Sequence, residues 1–153
     1  MGNFDFLEKD PAYGMFAKSA EKAEGLCRSH PSLSALLSRK TLELAVKWVY
    51  QVEGIEVPRQ ANLQSLLHHP DFRDLMDHEP WYRLQFIVKM GNLSAHEERE
   101  ISFEQAAEAL RNLFDFLLWI DYCYGRSYEE RFFSLSRIPE AHEAVNEKRI
   151  REQ

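Results

Sequence analysis

The residues best suited to chemistry lie in segment 81–98, where an apolar helical run contains Gly91, followed at once by Asn92 and then by His96. Residues four apart on a helix emerge from one face, so the asparagine and histidine side chains are predicted to lie one above the other. A glycine inside a helix costs about 1 kcal/mol relative to alanine. Its presence beside a polar pair therefore needs a physical reason.

Two interpretations account for this arrangement. In the first, Gly91 lets another helix approach closely, and the polar pair satisfies buried backbone groups. In the second, His96 and Asn92 are candidate catalytic residues within a polar cluster. The members of that cluster would be Arg39, Glu43, Lys89, Asn92 and His96. We favour packing, because short motifs often match by chance.

Several other chemistries are excluded by spacing. The six glycines, at positions 2, 14, 25, 54, 91 and 125, are too far apart for a phosphate-binding loop or a dinucleotide fingerprint. No Asp-x-Lys or Glu-x-Lys triplet, the usual core of a restriction-type nuclease, is present. Glu100 stands where the second histidine of a zinc-protease motif beginning at His96 would be. We predict no metal site.

Composition indicates one soluble domain. The 153 residues are 44% hydrophobic and 29% charged, with a formal net charge of −6 and a pI near 5.5. This charge gives no global attraction for phosphate backbones, so nucleic-acid binding would need a local basic patch. Cys27 and Cys123 are isolated and have no C-x-x-C spacing, which favours reduced thiols in a cytosolic chain.

The elements that would position the cluster are helices. Apolar periodicity predicts helical segments over about 11–27, 32–52, 62–76 with a break at 69–70, 80–98 and 103–124. Asp10, Asn62 and Ser102 are predicted caps at helix starts, and Gly125 is predicted to be a left-handed cap at the end of the last helix. Strand-period alternation is weak, so the predicted fold is an all-α antiparallel bundle.

The bundle is predicted to occupy residues 1–138. Residues 139–153 are charged and low in large apolar side chains, and are predicted to form a helical or extended tail leading toward further domains. Within the bundle, Asn92 and His96 are predicted to face Arg39 and Glu43 in a partly buried cluster. On that prediction, His96→Ala would destabilise the fold by about 1–3 kcal/mol.

Four blocks resemble a known domain. They are NFDFL at 3–7, LSRKTLELAVKW at 37–48, GNLSAH at 91–96, and the stretch from LRNLFDF at 110–116 through WIDYCYG at 119–125. Together they resemble the α-helical domain at the N-terminus of the restriction (R) subunit of type I restriction-modification enzymes. That domain is similar to the HEPN group of helical bundles, many of which are ribonucleases using Arg-(Asn/Asp)-x-x-x-His across a dimer.

The resemblance implies a HEPN-like accessory interaction domain in a cytoplasmic system of bacterial defence. In such an enzyme, ATP-dependent DNA translocation and endonucleolytic cleavage belong to other domains, which would bind ATP and Mg²⁺; this segment would need no cofactor. The implied partners are the other domains of the same R subunit, the restriction-modification complex, and DNA through the parent enzyme. No membrane is implied, and a homodimer is one arrangement that the resemblance allows.

The match to the ribonuclease motif is partial. Asn92 and His96 match, but Gly91 stands in the place of the arginine. The arginine would stabilise charge on the phosphate while histidine moves a proton, and glycine can do neither. Catalysis by this domain alone is therefore not expected unless Arg39 or Lys89 supplies the missing charge. The alternative function is a metal-independent ribonuclease of HEPN type, or a degenerate toxin-like relative.

Overall fold

The computed structural model describes residues 1–96 and 99–140. Within these residues the fold has six α-helices: α1 Gly14–Gly25, α2 Pro31–Glu53, α3 Leu63–His68, α4 Pro70–Arg73, α5 His78–Ala95 and α6 Phe103–Tyr124. The same part of the chain contains three short 3-10 turns, at Asp5–Lys9, Pro11–Tyr13 and Leu135–Arg137. The described residues contain no strand, so the predicted all-α fold is confirmed. The predicted tail falls on 139–153, and all of it after Glu140 lies outside the described residues.

Helix α2 is central to the bundle. It packs against α1, α5 and α6, and α5 also packs against α6. Apolar residues at helical spacing turn toward this centre, as expected for amphipathic helices. Fully or almost fully buried members of the core include Phe16, Leu42, Val49, Ile87, Leu113, Leu117 and Ile120. The core therefore holds α2 and α5, the two helices that carry the predicted polar residues, side by side.

Most predicted caps are confirmed. Asn62 and Ser102 each form a reciprocal capping box, with Ser65 and Gln105 respectively. Asp10 accepts a hydrogen bond from the amide of Ala12, but it caps a 3-10 turn rather than the first α-helix. These caps satisfy amides that have no partner within the helix.

The predicted left-handed cap at Gly125 is wrong. Its φ is −75°, and the left-handed glycine is Gly54, with φ 71°. A Cβ atom at position 125 would lie 2.2 Å from Asp121 Oδ1 and 2.8 Å from Tyr13 Oη. Close approach of these buried groups, rather than backbone conformation, requires the glycine here.

The NFDFL block holds the two ends of the described chain together. Asn3 donates from its backbone N and from Nδ2 to Glu24 Oε2, at 3.0 and 2.7 Å. Its side chain also exchanges hydrogen bonds with the backbone of Ser134, both at 2.9 Å. Phe4 and Phe6 pack edge-on against Phe114 of α6. The block is therefore accounted for by packing and buried hydrogen bonds.

Candidate binding groove

Gly91 marks a close contact between α5 and α2. A Cβ atom on Gly91 would lie 2.5 Å from Cβ, 2.8 Å from Cδ and 3.0 Å from Cγ of Arg39. Distances below about 3.0 Å between carbon atoms are prohibitively repulsive, since the optimum is about 3.5–4.0 Å. The aliphatic part of the arginine thus fills the space that only a glycine leaves open, as the packing interpretation of Gly91 requires.

Arg39 reaches the residue next to that glycine. Its Nη1 donates a hydrogen bond to Oδ1 of Asn92. The arginine is half-buried and the asparagine is exposed. One turn further along α2, Glu43 lies 3.9 Å from Nζ of Lys47, its ion-pair partner within the described chain. Arg39, Glu43 and Asn92 are therefore brought together, with the arginine oriented by the asparagine.

His96 does not occupy the predicted position. Helix α5 ends at Ala95, and His96 follows with extended backbone, φ −101° and ψ 113°. Its ring is exposed and makes no hydrogen bond to a described residue. The prediction that it shares a helix face with Asn92 in a partly buried cluster is wrong. Further along the chain, Ile101 is buried and its amide donates to Ser32 Oγ at 3.0 Å.

The predicted residues border two adjoining hollows, with volumes of about 350 and 380 Å³, which share Gln64, Val88 and Asn92. We call them together the polar groove. The first hollow is lined by Arg39, Glu43, Asn62, Leu63, Gln64, Val88 and Asn92. The second is lined by Gln64, Gln85, Val88, Lys89, Asn92, Leu93 and His96. All five cluster residues therefore border one groove, with Lys89 and His96 at its exposed α5 end.

Sequence reasoning missed two amides of this groove, Gln64 and Gln85. Gln64 Nε2 donates to Gln85 Oε1 at 2.8 Å, and the buried Nε2 of Gln85 has no acceptor among the described residues. Gln85, Lys89 and Asn92 are spaced for one face of α5, so helical periodicity could have included Gln85. Nothing in the sequence indicates that α3 places Gln64 beside it.

The groove can bind through hydrogen bonds and charge. A guanidinium, an ammonium and four carboxamide side chains offer donors, and the carboxamides also offer acceptors. Among the described lining residues, the one carboxylate, Glu43, and the one imidazole, His96, line different hollows. A nucleophile held by an adjacent base, the usual signature of covalent catalysis, is not formed by the described lining residues.

Other polar clusters in the molecule have structural explanations. Asp121 is fully buried and accepts from Tyr13 Oη at 2.6 Å and from Lys9 Nζ at 2.7 Å. Burial, and then the hydrogen bond to this carboxylate, raises the pKa of Tyr13. Tyr13 and the Asp121 carboxylate are buried between the N-terminal turns and α6, and only Lys9 is partly exposed, so a ligand has no access to the carboxylate.

An acidic cluster on the surface was not singled out by sequence reasoning. Carboxylate oxygens of Asp5, Glu8 and Glu21 lie within 4.8 Å of one another. Asp5 and Glu8 are exposed to water. Exposed carboxylates are readily solvated, so their proximity alone does not define a metal centre.

No family model matches the chain, and searches of curated proteins and of solved structures also found no match. Within residues 1–96 and 99–140, no helix combines the length and the apolar character needed to cross a membrane. The function of this chain is therefore inferred from the geometry of the polar groove and from the sequence blocks.

Proposed function

We propose that this chain is a non-catalytic helical interaction domain, of the kind its sequence blocks resemble at the N-terminus of type I restriction R subunits. One observation carries the proposal. Gly91, in the place of the motif arginine, packs against the stem of Arg39, while His96 lies exposed beyond the end of α5. Cleavage needs the charge-stabilising group and the proton-transfer group fixed on one phosphate. Because the exposed His96 is not fixed in such a position, the arrangement supports a role in binding rather than in cleavage.

The proposed partners follow from the resemblance. The domain would bind other parts of the R subunit or of the restriction-modification complex in the bacterial cytoplasm. DNA translocation and endonuclease activity, with their ATP and Mg²⁺, would belong to those other parts. The bundle would be HEPN-like in fold, and its polar groove would be the contact surface.

The reading frame beyond residue 153 provides the first test. The proposal expects a P-loop and helicase motifs downstream; a stop codon directly after Gln153 would contradict an R-subunit origin. The downstream polypeptide, co-expressed as a separate chain, should co-elute with this domain in size-exclusion chromatography. Reversing the charge at Lys89 should weaken that association, whereas the same change at the exposed Lys40, which lines neither hollow, should not.

A second candidate function is a metal-independent ribonuclease of HEPN type. The observation that favours it is the hydrogen bond from Arg39 to Asn92, which places a guanidinium beside Gly91 from a different helix. Labelled single-stranded RNA, incubated with the domain with and without chelator, decides between the two functions. Cleavage that persists with chelator and is lost in both Arg39→Ala and His96→Ala would establish the ribonuclease. Intact RNA in every reaction is the outcome expected for an interaction domain.

A further inference from the structure

We infer that the polar groove binds an extended peptide segment that carries an acidic side chain at the Lys89 end. This inference rests on the proposed function and names the class of partner. Three features of the groove support it: its amides, its apolar floor and its uneven charge. A fourth, the absence of exposed aromatic side chains from its lining, distinguishes a peptide from a nucleic acid.

The carboxamides suit a peptide main chain. Asn62, Gln64, Gln85 and Asn92 line the two hollows, and each amide can both donate and accept. An extended segment offers alternating N–H and C=O groups that such side chains can bond. The hydrogen bond between Gln64 and Gln85 is exposed, so these two amides can reach main-chain groups of a peptide, whereas Nε2 of Gln85 is itself buried and has no acceptor among the described residues.

The floor of the groove suits small apolar side chains. It is formed by Leu63, Val88 and Leu93, of which the first two are 8% and 3% exposed. So little exposed apolar surface cannot accept the broad face of an amphipathic helix, which needs a hydrophobic groove with several anchor pockets. An extended segment turns only alternate side chains inward, so it needs much less exposed apolar surface on its partner.

The charge of the groove is uneven along its length. In the first hollow, Arg39 is bonded to Asn92, and Glu43 is paired with Lys47. The described residues that line the second hollow include Lys89 and His96 and no carboxylate. Lys89 is exposed and forms no ion pair with a described residue. An acidic side chain of the partner is therefore complementary to this end of the groove.

Nucleic acid is the less favoured occupant. Proteins that bind single strands combine a basic track with aromatic side chains on which bases stack. The described residues that line the two hollows include no phenylalanine, tyrosine or tryptophan. Glu43 lies in the wall, and the net charge of −6 opposes a phosphate backbone.

Fluorescence anisotropy with three labelled probes tests the inference. The probes are a decapeptide alternating glutamate and threonine, one alternating lysine and threonine, and a ten-nucleotide oligouridylate. The acidic peptide should bind tightest. Lys89→Glu should weaken its binding about fivefold or more, whereas Lys40→Glu, with the same change in net charge, should leave it nearly unchanged. Gln85→Leu should weaken both peptides alike, because it removes a main-chain contact.

Three results would overturn the inference. The first is tighter binding of the oligouridylate than of the acidic peptide. If the RNA also stays intact, the peptide inference is refuted, while the proposal of a non-catalytic interaction domain still stands. The second is an equal loss of binding in Lys89→Glu and Lys40→Glu, which would show general charge attraction. The third is no change in anisotropy with either peptide. Thermal melting of each variant shows whether lost binding reflects lost folding.

Discussion

The aliphatic stem of Arg39 lies in the space beside Gly91 that a Cβ atom would occupy. Two interactions position the arginine: van der Waals packing along its stem and the hydrogen bond from Nη1 to Asn92. The glycine thus determines where a cation stands in the polar groove. The contribution of Gly91 to the free energy of unfolding can be measured separately from any contribution to binding.

Gly91→Ala should lower the free energy of unfolding by about 1–3 kcal/mol, because overpacking between two helices outweighs the better helix propensity of alanine. Urea denaturation measures this change. Gly14→Ala is the matched control, since a Cβ atom there meets nothing within 4 Å. If both variants are as stable as the parent, the contact with Arg39 is not tight. Adding Arg39→Ala to Gly91→Ala should recover only the part of the loss that comes from Cγ and Cδ of the arginine, because alanine keeps the Cβ atom that lies 2.5 Å from the added methyl group.

His96→Ala should change the free energy of unfolding by less than about 0.5 kcal/mol, as is usual for exposed positions. This expectation replaces the larger loss predicted from sequence, because the histidine is exposed and lies beyond α5. Thermal melting of the variant beside the parent measures it. A loss of 1 kcal/mol or more, on the scale of a buried hydrogen bond, would mean that the ring has a buried partner in solution.

Two ion pairs with the same separation should differ greatly in their contribution to stability. Lys9–Asp121 and Arg83–Glu79 are both 2.7 Å apart, but the Asp121 side chain is fully buried while that of Glu79 is 77% exposed. Asp121→Ala should lower the free energy of unfolding by about 2–4 kcal/mol, because it leaves the buried hydroxyl of Tyr13 without its acceptor and removes the ion-pair partner of Lys9, which keeps only the carbonyl of Ser127.

Glu79→Ala is the control for that comparison and should cost less than about 1 kcal/mol, because water screens an exposed pair. Chemical denaturation of both variants under the same conditions gives the difference. Equal losses would show that separation, rather than burial, governs these pairs. Tyr13→Phe separates the tyrosine hydrogen bond from the ion pair, and should cost about 1 kcal/mol.

The helices of this chain could be predicted more accurately than its groove. Periodicity and caps are local signals, and they located α2, observed at Pro31–Glu53, and α6, observed at Phe103–Tyr124, to within one residue at each end. The end of α5 and the position of Gln64 depend on contacts between distant segments, such as the bond from Ile101 to Ser32. Such contacts leave no periodic signal, so His96 was wrongly placed on α5 and Gln64 was missed, although the predicted cluster residues do border the groove.

The stability of the fold should depend on pH through the buried carboxyl of Glu24. Burial raises the pKa of Glu24 above its ordinary 4.5, although hydrogen bonds from Asn3 act in the opposite direction. The folded protein therefore holds this proton at pH values where the unfolded chain has lost it. Stability from Glu24 is fully present below pH 4.5 and is lost as pH rises through the folded pKa.

Glu24→Gln should remove that loss and keep the fold. Both hydrogen bonds from Asn3 end on Oε2, which an amide oxygen can replace. The variant should gain stability relative to the parent as pH rises above 4.5, and the gain should level off once the folded carboxyl is ionised. Urea midpoints measured between acidic and neutral pH give the two curves. Parallel curves would contradict the raised pKa, whereas Glu24→Ala should lose about 1–3 kcal/mol at neutral pH because the buried backbone N–H of Asn3 loses its acceptor.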